Sequence, residues 1–527
     1  SDKRNTPFPI IDRKCVPRSG RNETKKTANV DANKESNEGS MKTIYRLVLQ
    51  VSAVLVLAGC AEQKLETTPS GQAATESAEV LALAERAGAP LFDGMGDYEM
   101  PITTEAQDAQ RYFNQGMVLA FAFNHAESIR SFRAAQTLDP TCAMCFWGEA
   151  LATGPNINVT SKGKVIMSAG EREAAFAALQ KALALKDNAT VREQAYIEAL
   201  ATRYNGDAET DREPLDRAWA EAMGSVVKQY PEDMTAASIY AESLMNTMPW
   251  NYWSDDGIAK PETSAVIESL DRVLEAEPDH PLALHLYIHA LEASNDPSRA
   301  ETAADRLANL VPGAGHLVHM PSHIYYRIGR YNDAAVANQR AADVDEAYIA
   351  ACNAQGFYPA LYYPHNIHFL WSAATMQGQS ALSIESARRV VANVRVEQVQ
   401  AFPTVEFFRT VPLLSLVRFG KWDDILEEPH PHEGFMFAKS VWHYARGVAY
   451  AAKGEAALAK GELDVLVPLQ DDVSVRFLDS RDYPGSLLVG IAIELLRGEI
   501  AYRAGAFGEA ITHFASAVEK QDSLPYT

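Results

Sequence analysis

Small residues recur along this chain at a fixed interval, and that interval restricts the fold more than any other feature. Gly116, Ser128 and Pro140 stand at 12-residue steps, with Phe132 and Ala135 between the last two. Gly498 and Ala510 repeat the 12-residue step and are followed by Phe514 and Ala517. Gly447 and Ala459 repeat it with Leu463, and Ile288 and Ala300 with Ala304 and Pro312. Between these marks the sequence reads as helix after helix, rich in Ala and Leu, with no alternating strand pattern. Small side chains at such places let two antiparallel helices approach closely, so each step predicts one helical hairpin.

The pattern resembles the tetratricopeptide repeat, a helix-turn-helix of about 34 residues with Gly or Ala at the crossing points, an aromatic in the second helix and a terminal Pro. The resemblance runs from about Glu105 to the last residue. It implies an all-α fold, a tetratricopeptide-repeat-like right-handed α-solenoid of roughly nine or ten hairpins, open along a concave groove lined by the first helices. Two places depart from it. Thr153-Gly154-Pro155-Asn156-Ile157-Asn158 leads into an insertion before a helix near Gly170, and Pro249-Trp250-Asn251-Tyr252-Trp253 starts an aromatic loop, read as packing between hairpins or, more sharply, as a lid. At the C-terminus the helix Ala506 to Gln521 is followed only by Leu524-Pro525-Tyr526-Thr527. A solenoid needs a polar cap over its last repeat, so the natural chain is expected to continue.

The N-terminal region has a different character. Ahead of Cys60 the chain holds 11 basic and 6 acidic side chains, whereas the remainder holds 37 basic and 63 acidic. Met41-Lys42-Thr43-Ile44-Tyr45-Arg46 opens a nearly all-apolar run, Leu47 to Ala58, that ends Leu57-Ala58-Gly59-Cys60. This resembles a bacterial lipoprotein signal peptide: a positive start, an apolar stretch too short to span a bilayer, then small residues before a Cys. The resemblance implies residues 1–40 as upstream read-through, 41–59 as the signal peptide, Cys60 as the lipidated residue, and 60–104 as a flexible tether ahead of a solenoid over 105–527. Ala61 in place of Asp implies the outer membrane, on its periplasmic face. Overall, 48 Lys and Arg against 69 Asp and Glu give a net charge of −21, the wrong sign for gripping nucleic acid through its phosphates.

The chemistry-bearing residues are concentrated. His285, His289, His316, His319, His323, His365 and His368 follow one another within a short part of the chain. Spacings of three and four put side chains on one helical face. His289 and His323 stand at the same offset before the crossing-point alanines Ala300 and Ala334. His285, His319 and His368 share a second offset, one helical turn longer, before Ala300, Ala334 and Ser383. Three neighbouring first helices therefore aim their imidazoles at one stretch of groove. Clustered imidazoles repel one another when protonated, and a transition metal ion accounts for their convergence directly. Glu292 and Tyr326 are candidate further ligands or partners that orient an imidazole.

Cys142, Cys145 and Glu149 share the groove-facing phase several hairpins away. A Cys-x2-Cys at a helix start either ligates metal or forms a reducible disulfide, with a plain structural disulfide as the alternative. Phe146 stands where a c-type haem attachment needs His. Cys352 is left as an odd thiol, and His430-Pro431-His432 reads as incidental.

Imidazole suits copper, zinc, iron and nickel alike, and seven candidates exceed one tetrahedral site, so a dinuclear centre or two sites is open. A periplasmic address with Met320 and thiols nearby favours copper, then zinc. No metalloprotease, nucleophile-elbow, P-loop or dinucleotide-binding motif is present, so no catalytic residue is named. The segments Gly315-His316-Leu317-Val318-His319-Met320-Pro321-Ser322-His323-Ile324-Tyr325 and Tyr362-Tyr363-Pro364-His365-Asn366-Ile367-His368-Phe369 resemble a bacterial group of tetratricopeptide-repeat proteins, which supports the fold and implies no activity. Two functions follow: a lipid-tethered groove holding a His-rich metal site, or a groove that recognises a peptide or partner protein without metal.

Overall fold

The 12-residue step has a direct packing cause. Phe132 of one helix lies in the notch left by two glycines: a Cβ on Gly116 would stand 2.7 Å from its ring, and one on Gly148 2.3 Å. The ring thus joins the first hairpin to the next, and any larger residue at either glycine would force the helices apart.

The computed structural model describes residues 71–524 apart from Ala208, Asp255, Asn353 and Gln355. The signal-peptide segment and Cys60 lie outside them. Among the described residues ten hairpins follow one another. They pair Gln107–Phe121 with His125–Leu138, Ala143–Thr153 with Ala169–Ala184, Val191–Ala201 with Arg212–Gln229, Met234–Asn246 with Pro261–Ala276, and Pro281–Glu292 with Glu301–Leu310. The sixth has a split first helix, Gly315–His319 and Pro321–Arg327, packed on Tyr331–Cys352. Phe357–Met376 then pairs with Ser380–Asn393, and the short helices Val396–Ala401 and Val411–Arg418 with Trp422–Glu427. Met436–Ala452 with Ala456–Leu469 and Gly485–Arg503 with Phe507–Asp522 complete the series. The fold is an all-α, tetratricopeptide-repeat-like solenoid. Pro321 explains the split: it cannot donate to the preceding turn, so it starts a new helix at its first position and leaves His316 and His319 helical.

The solenoid is not open, as the repeat pattern predicts, but closed across its concave side. His285 Nδ1 lies 2.6 Å from the carbonyl of Phe121, and Tyr348 donates to Glu127 at 3.1 Å. Asn158 donates to the Tyr362 hydroxyl at 3.3 Å, and the Lys162 amide bonds to the Asp482 carboxylate near the far end. The two departures from the repeat supply the filling. The insertion forms a short antiparallel pair, Thr160–Ser161 with Lys164–Val165, and buries Asn156 and Ile157. The aromatic loop buries Tyr252 and ties Trp253 Nε1 to the Ala290 carbonyl at 2.8 Å. Apolar groove walls cannot stay in water when the chain's own loops can cover them.

The stretch from 84 to 104 is likewise no tether. Ala89 and Met100 are buried, Tyr112 donates to the Ala89 carbonyl at 2.6 Å, and the Gly313 amide donates to the Gly94 carbonyl at 2.8 Å. Tyr98 reaches Thr235 at 2.8 Å, so this segment straps several hairpins together.

Candidate metal centre

The helix Pro281–Glu292 is buried on all sides, the mark of a central element. It carries His285 and His289 one turn apart, with ring centroids 4.8 Å from each other. His316, from the next hairpin, stands 5.0 Å from His285 and 6.3 Å from His289. One ring nitrogen of each lies within 4.8 Å of the others, and all three residues are buried. The Phe121 carbonyl accepts a hydrogen bond from His285 Nδ1, whose Nε2 has no protein partner; both ring nitrogens of His289 and of His316 also lack one. Burial, and then the neighbouring imidazoles, push the His285 pKa down to about 3 and those of His289 and His316 well below the ordinary range. The rings are therefore neutral, with lone pairs free to bind a cation.

One repeat later the arrangement recurs. His319 follows His285, and His323 follows His289, by the same interval of one repeat length, about 34 residues. The third member, His365, again comes from the next hairpin, and the centroids stand 4.7, 4.8 and 5.7 Å apart. Here the outer nitrogens are held by acceptors. His319 Nδ1 lies 2.5 Å from Asn338 Oδ1, whose amide orientation is fixed because its Nδ2 donates to the Ala334 carbonyl at 2.7 Å. His323 Nδ1 lies 2.6 Å from Glu292 Oε2. The Nε2 atoms of His319 and His323 face each other at 2.9 Å, within reach of one hydrogen bond or one shared cation.

The triads share a wall. His316 stacks on His319 at 5.7 Å, and His289 faces His323 at 5.8 Å. Each triad is also covered by one phenylalanine that touches all three rings. Phe123 lies 4.6, 6.1 and 5.5 Å from His285, His289 and His316. Phe369 lies 5.0, 4.5 and 4.8 Å from His319, His323 and His365. The first triad is fully buried, whereas His365 and Phe369 are partly exposed and give the second a side towards solvent.

Phe123 reaches its place at a conformational cost. In five later hairpins the second residue after the first helix has positive φ and is glycine: Gly329, Gly378, Gly420, Gly454 and Gly505. In the first hairpin that position is Phe123, with φ 55°. Trp250, with φ 60°, packs edge-on against His289 at 5.2 Å. Left-handed backbone at bulky residues costs of order 1–3 kcal/mol and persists where the surroundings over-determine it. Two of four such non-glycine residues among those described lie against one triad.

The remaining predicted residues fall elsewhere. His368 leaves the cluster and packs among Trp371, Phe407 and Phe408, where burial pushes its pKa down to about 4. Glu292 supports His323 from outside, and Tyr326 accepts from Ser372 at 3.0 Å and touches Phe369 rather than an imidazole. Cys142 and Cys145 are joined in a disulfide, Cα to Cα 5.4 Å, and Glu149 is held by Arg133 and Gln136 at 2.7 Å each. His430 packs edge-on against Trp442 at the surface. Sequence reading passed over Phe123, Phe369 as a cover, and Asn338. Asn338, a buried carboxamide on an alanine-rich helix face, was a legible signal; for Phe123 the signal was a phenylalanine where sister turns carry glycine.

No family model and no curated protein matches the sequence. Among solved structures the chain is similar to the human IFIT1 dimer with m7Gppp-AAAA, at 14% identity and TM-score 0.34, covering 79% of this chain and 91% of that one. It is similar to yeast Tom70 at 12% identity and TM-score 0.29, over 79% and 90%. The TPR domain of P58(IPK) follows at 14% identity and TM-score 0.18, over 72% and 98%. At such distances function has to come from the side chains of this chain.

Proposed function

We propose that this protein binds transition metal through two adjacent trihistidine sites, His285, His289 and His316 in one and His319, His323 and His365 in the other. The observation that carries the reading is the first triad, in which five of the six ring nitrogens of His285, His289 and His316 are buried without a protein partner while one nitrogen of each lies within 4.8 Å of the others. A metal ion supplies the partners that the first triad's buried nitrogens lack, and the close Nε2 atoms of His319 and His323 can share one in the second. Glu292, Asn338 and the Phe121 carbonyl orient the rings, as the outer partners of metal-bound histidines do. Copper and zinc are the favoured ions, with iron and nickel compatible.

The test is elemental analysis of protein purified without a His-tag, beside the double variant His289→Gln with His323→Gln. Metal in the wild type and its loss in a variant of unchanged helical content are expected. A wild type without metal and without thermal stabilisation by copper, zinc, iron or nickel ends the reading. The helical-repeat scaffold is also of the kind that binds proteins or peptides, and that role would use the surface outside the buried centre.

The same proposal includes lipid attachment at Cys60 and a place on the periplasmic face of a bacterial outer membrane, supported by Leu57-Ala58-Gly59-Cys60 after a basic start. Cys60→Ser should leave unprocessed precursor in the inner membrane. Normal maturation of that variant would exclude the anchor.

A further inference from the structure

Resting on the metal-binding reading, we propose that the two triads form one dinuclear copper centre, each ion held by three imidazoles, whose ligand is dioxygen bound between the ions. Three observations lead there. The first is duplication: an i, i+4 histidine pair from the first arm of one hairpin plus a third histidine from the next hairpin, with the pair recurring one repeat length further along the chain across the break at Pro321. This gives two equivalent three-nitrogen sites rather than one site with spare ligands. The second is contiguity. His316 stacks on His319 at 5.7 Å and His289 faces His323 at 5.8 Å, so the two triads adjoin and ions held in them would be neighbours.

The third is charge. Each ligand set consists of imidazoles, which bring no negative charge to a metal, and Glu292, on the outer nitrogen of His323, is the one carboxylate in contact with them among the described residues. Repulsion between two divalent ions is about fourfold that between two monovalent ions at equal distance, because it scales with the product of the charges. Two Cu(I) ions are therefore the pair that this environment tolerates best, and three nitrogens satisfy Cu(I) without a further anionic ligand. Zinc, with no monovalent state and a preference for four ligands, fits less well.

The pair of metals also sets the ligand. Dioxygen accepts one electron from each Cu(I), reaching the two-electron-reduced level, while both ions become Cu(II); the resulting dianion offsets the charge gained by the metals. No other oxidant or reductant enters, and no proton is needed, so the step is reversible. Phe123 and Phe369 keep water from the bound ligand, and the partly exposed edge at His365 and Phe369 is the side by which a small gas molecule enters.

The experiment titrates the full chain with Cu(I) under nitrogen and then admits air. Two copper ions per chain are expected, followed by an intense near-ultraviolet absorption and no electron paramagnetic resonance signal, because two ligand-bridged Cu(II) ions couple. Purging with nitrogen should reverse the absorption. His289→Gln, which impairs only the first triad, should hold one copper and show a paramagnetic Cu(II) signal after oxidation; His365→Gln does the same from the second triad should the former fold poorly. One copper per wild-type chain, two copper ions with separate paramagnetic signals, or tighter binding of a zinc pair in competition would overturn the dicopper centre while leaving metal binding intact. Absence of any bound metal would end the metal-binding reading itself.

Discussion

The ring of Phe123 lies 4.6 Å from that of His285, and it gets there from a backbone position that five sister turns reserve for glycine. The same turn supplies the Phe121 carbonyl that holds His285 Nδ1 at 2.6 Å. A single loop of the first hairpin thus both orients and covers a histidine of the fifth, which makes closure of the solenoid and assembly of the site one event.

Phe123→Gly separates strain from cover. Glycine at φ 55° relieves backbone strain of about 1 kcal/mol, but loss of the buried ring costs about 3–5 kcal/mol. Net destabilisation of about 2–4 kcal/mol in denaturant unfolding is expected, together with faster loss of metal to a chelator. A variant as stable as wild type would show that the ring contributes nothing to closing the first triad.

Asn338→Leu removes the acceptor that fixes His319. The ring can then rotate or change tautomer, and metal affinity at the second triad should fall about 10–100-fold with the helix content preserved. Competition with a calibrated chelator measures it, and Asn338→Asp, which keeps an acceptor, should recover most of the loss.

Replacing both Cys142 and Cys145 by Ser should leave metal content unchanged, because the two sulfurs are bonded to each other and belong to neither triad. The loop they close is very short, a sequence separation of 3, so the stability lost should be below the roughly 3 kcal/mol of a 15-residue loop. Metal analysis and thermal unfolding of the double variant check both statements.

Acid should destabilise the metal-free protein through histidines outside the triads. Burial holds the pKa of His125 and of His280 at about 4, whereas an unfolded chain takes up those protons near pH 6.5. Their contribution is complete above pH 6.5 and is lost as the pH falls towards 4. Asp345, raised by burial to about 7, works in the other direction and stabilises increasingly as the pH falls below 7. Denaturant midpoints measured from pH 7.5 to 4.5 should therefore fall less steeply in His125→Gln and more steeply in Asp345→Asn.

The local code of this protein is legible in its sequence. Gly116, Gly148 and Phe132 fix a hairpin contact because a side chain either fits between two helices or does not, and the step that records it needs no partner outside neighbouring hairpins. The phase of His285 and His289 is equally local, since helical periodicity alone puts the pair on one face, and the one-repeat interval carries His319 and His323 to the matching places. What the sequence could not determine was where the groove goes. Repeat spacing constrains each hairpin against its neighbours and leaves the far ends free, so it predicts an open array; closure depends on contacts between residues far apart in the chain, such as Phe121 with His285 and Asn158 with Tyr362. That closure turned a row of seven histidines into one fully buried triad and one with a partly exposed edge, gave each a phenylalanine cover, and left His368 outside among aromatic rings. Helix phase sets the direction in which a side chain leaves its own axis, but only the packing of distant segments sets what it meets there.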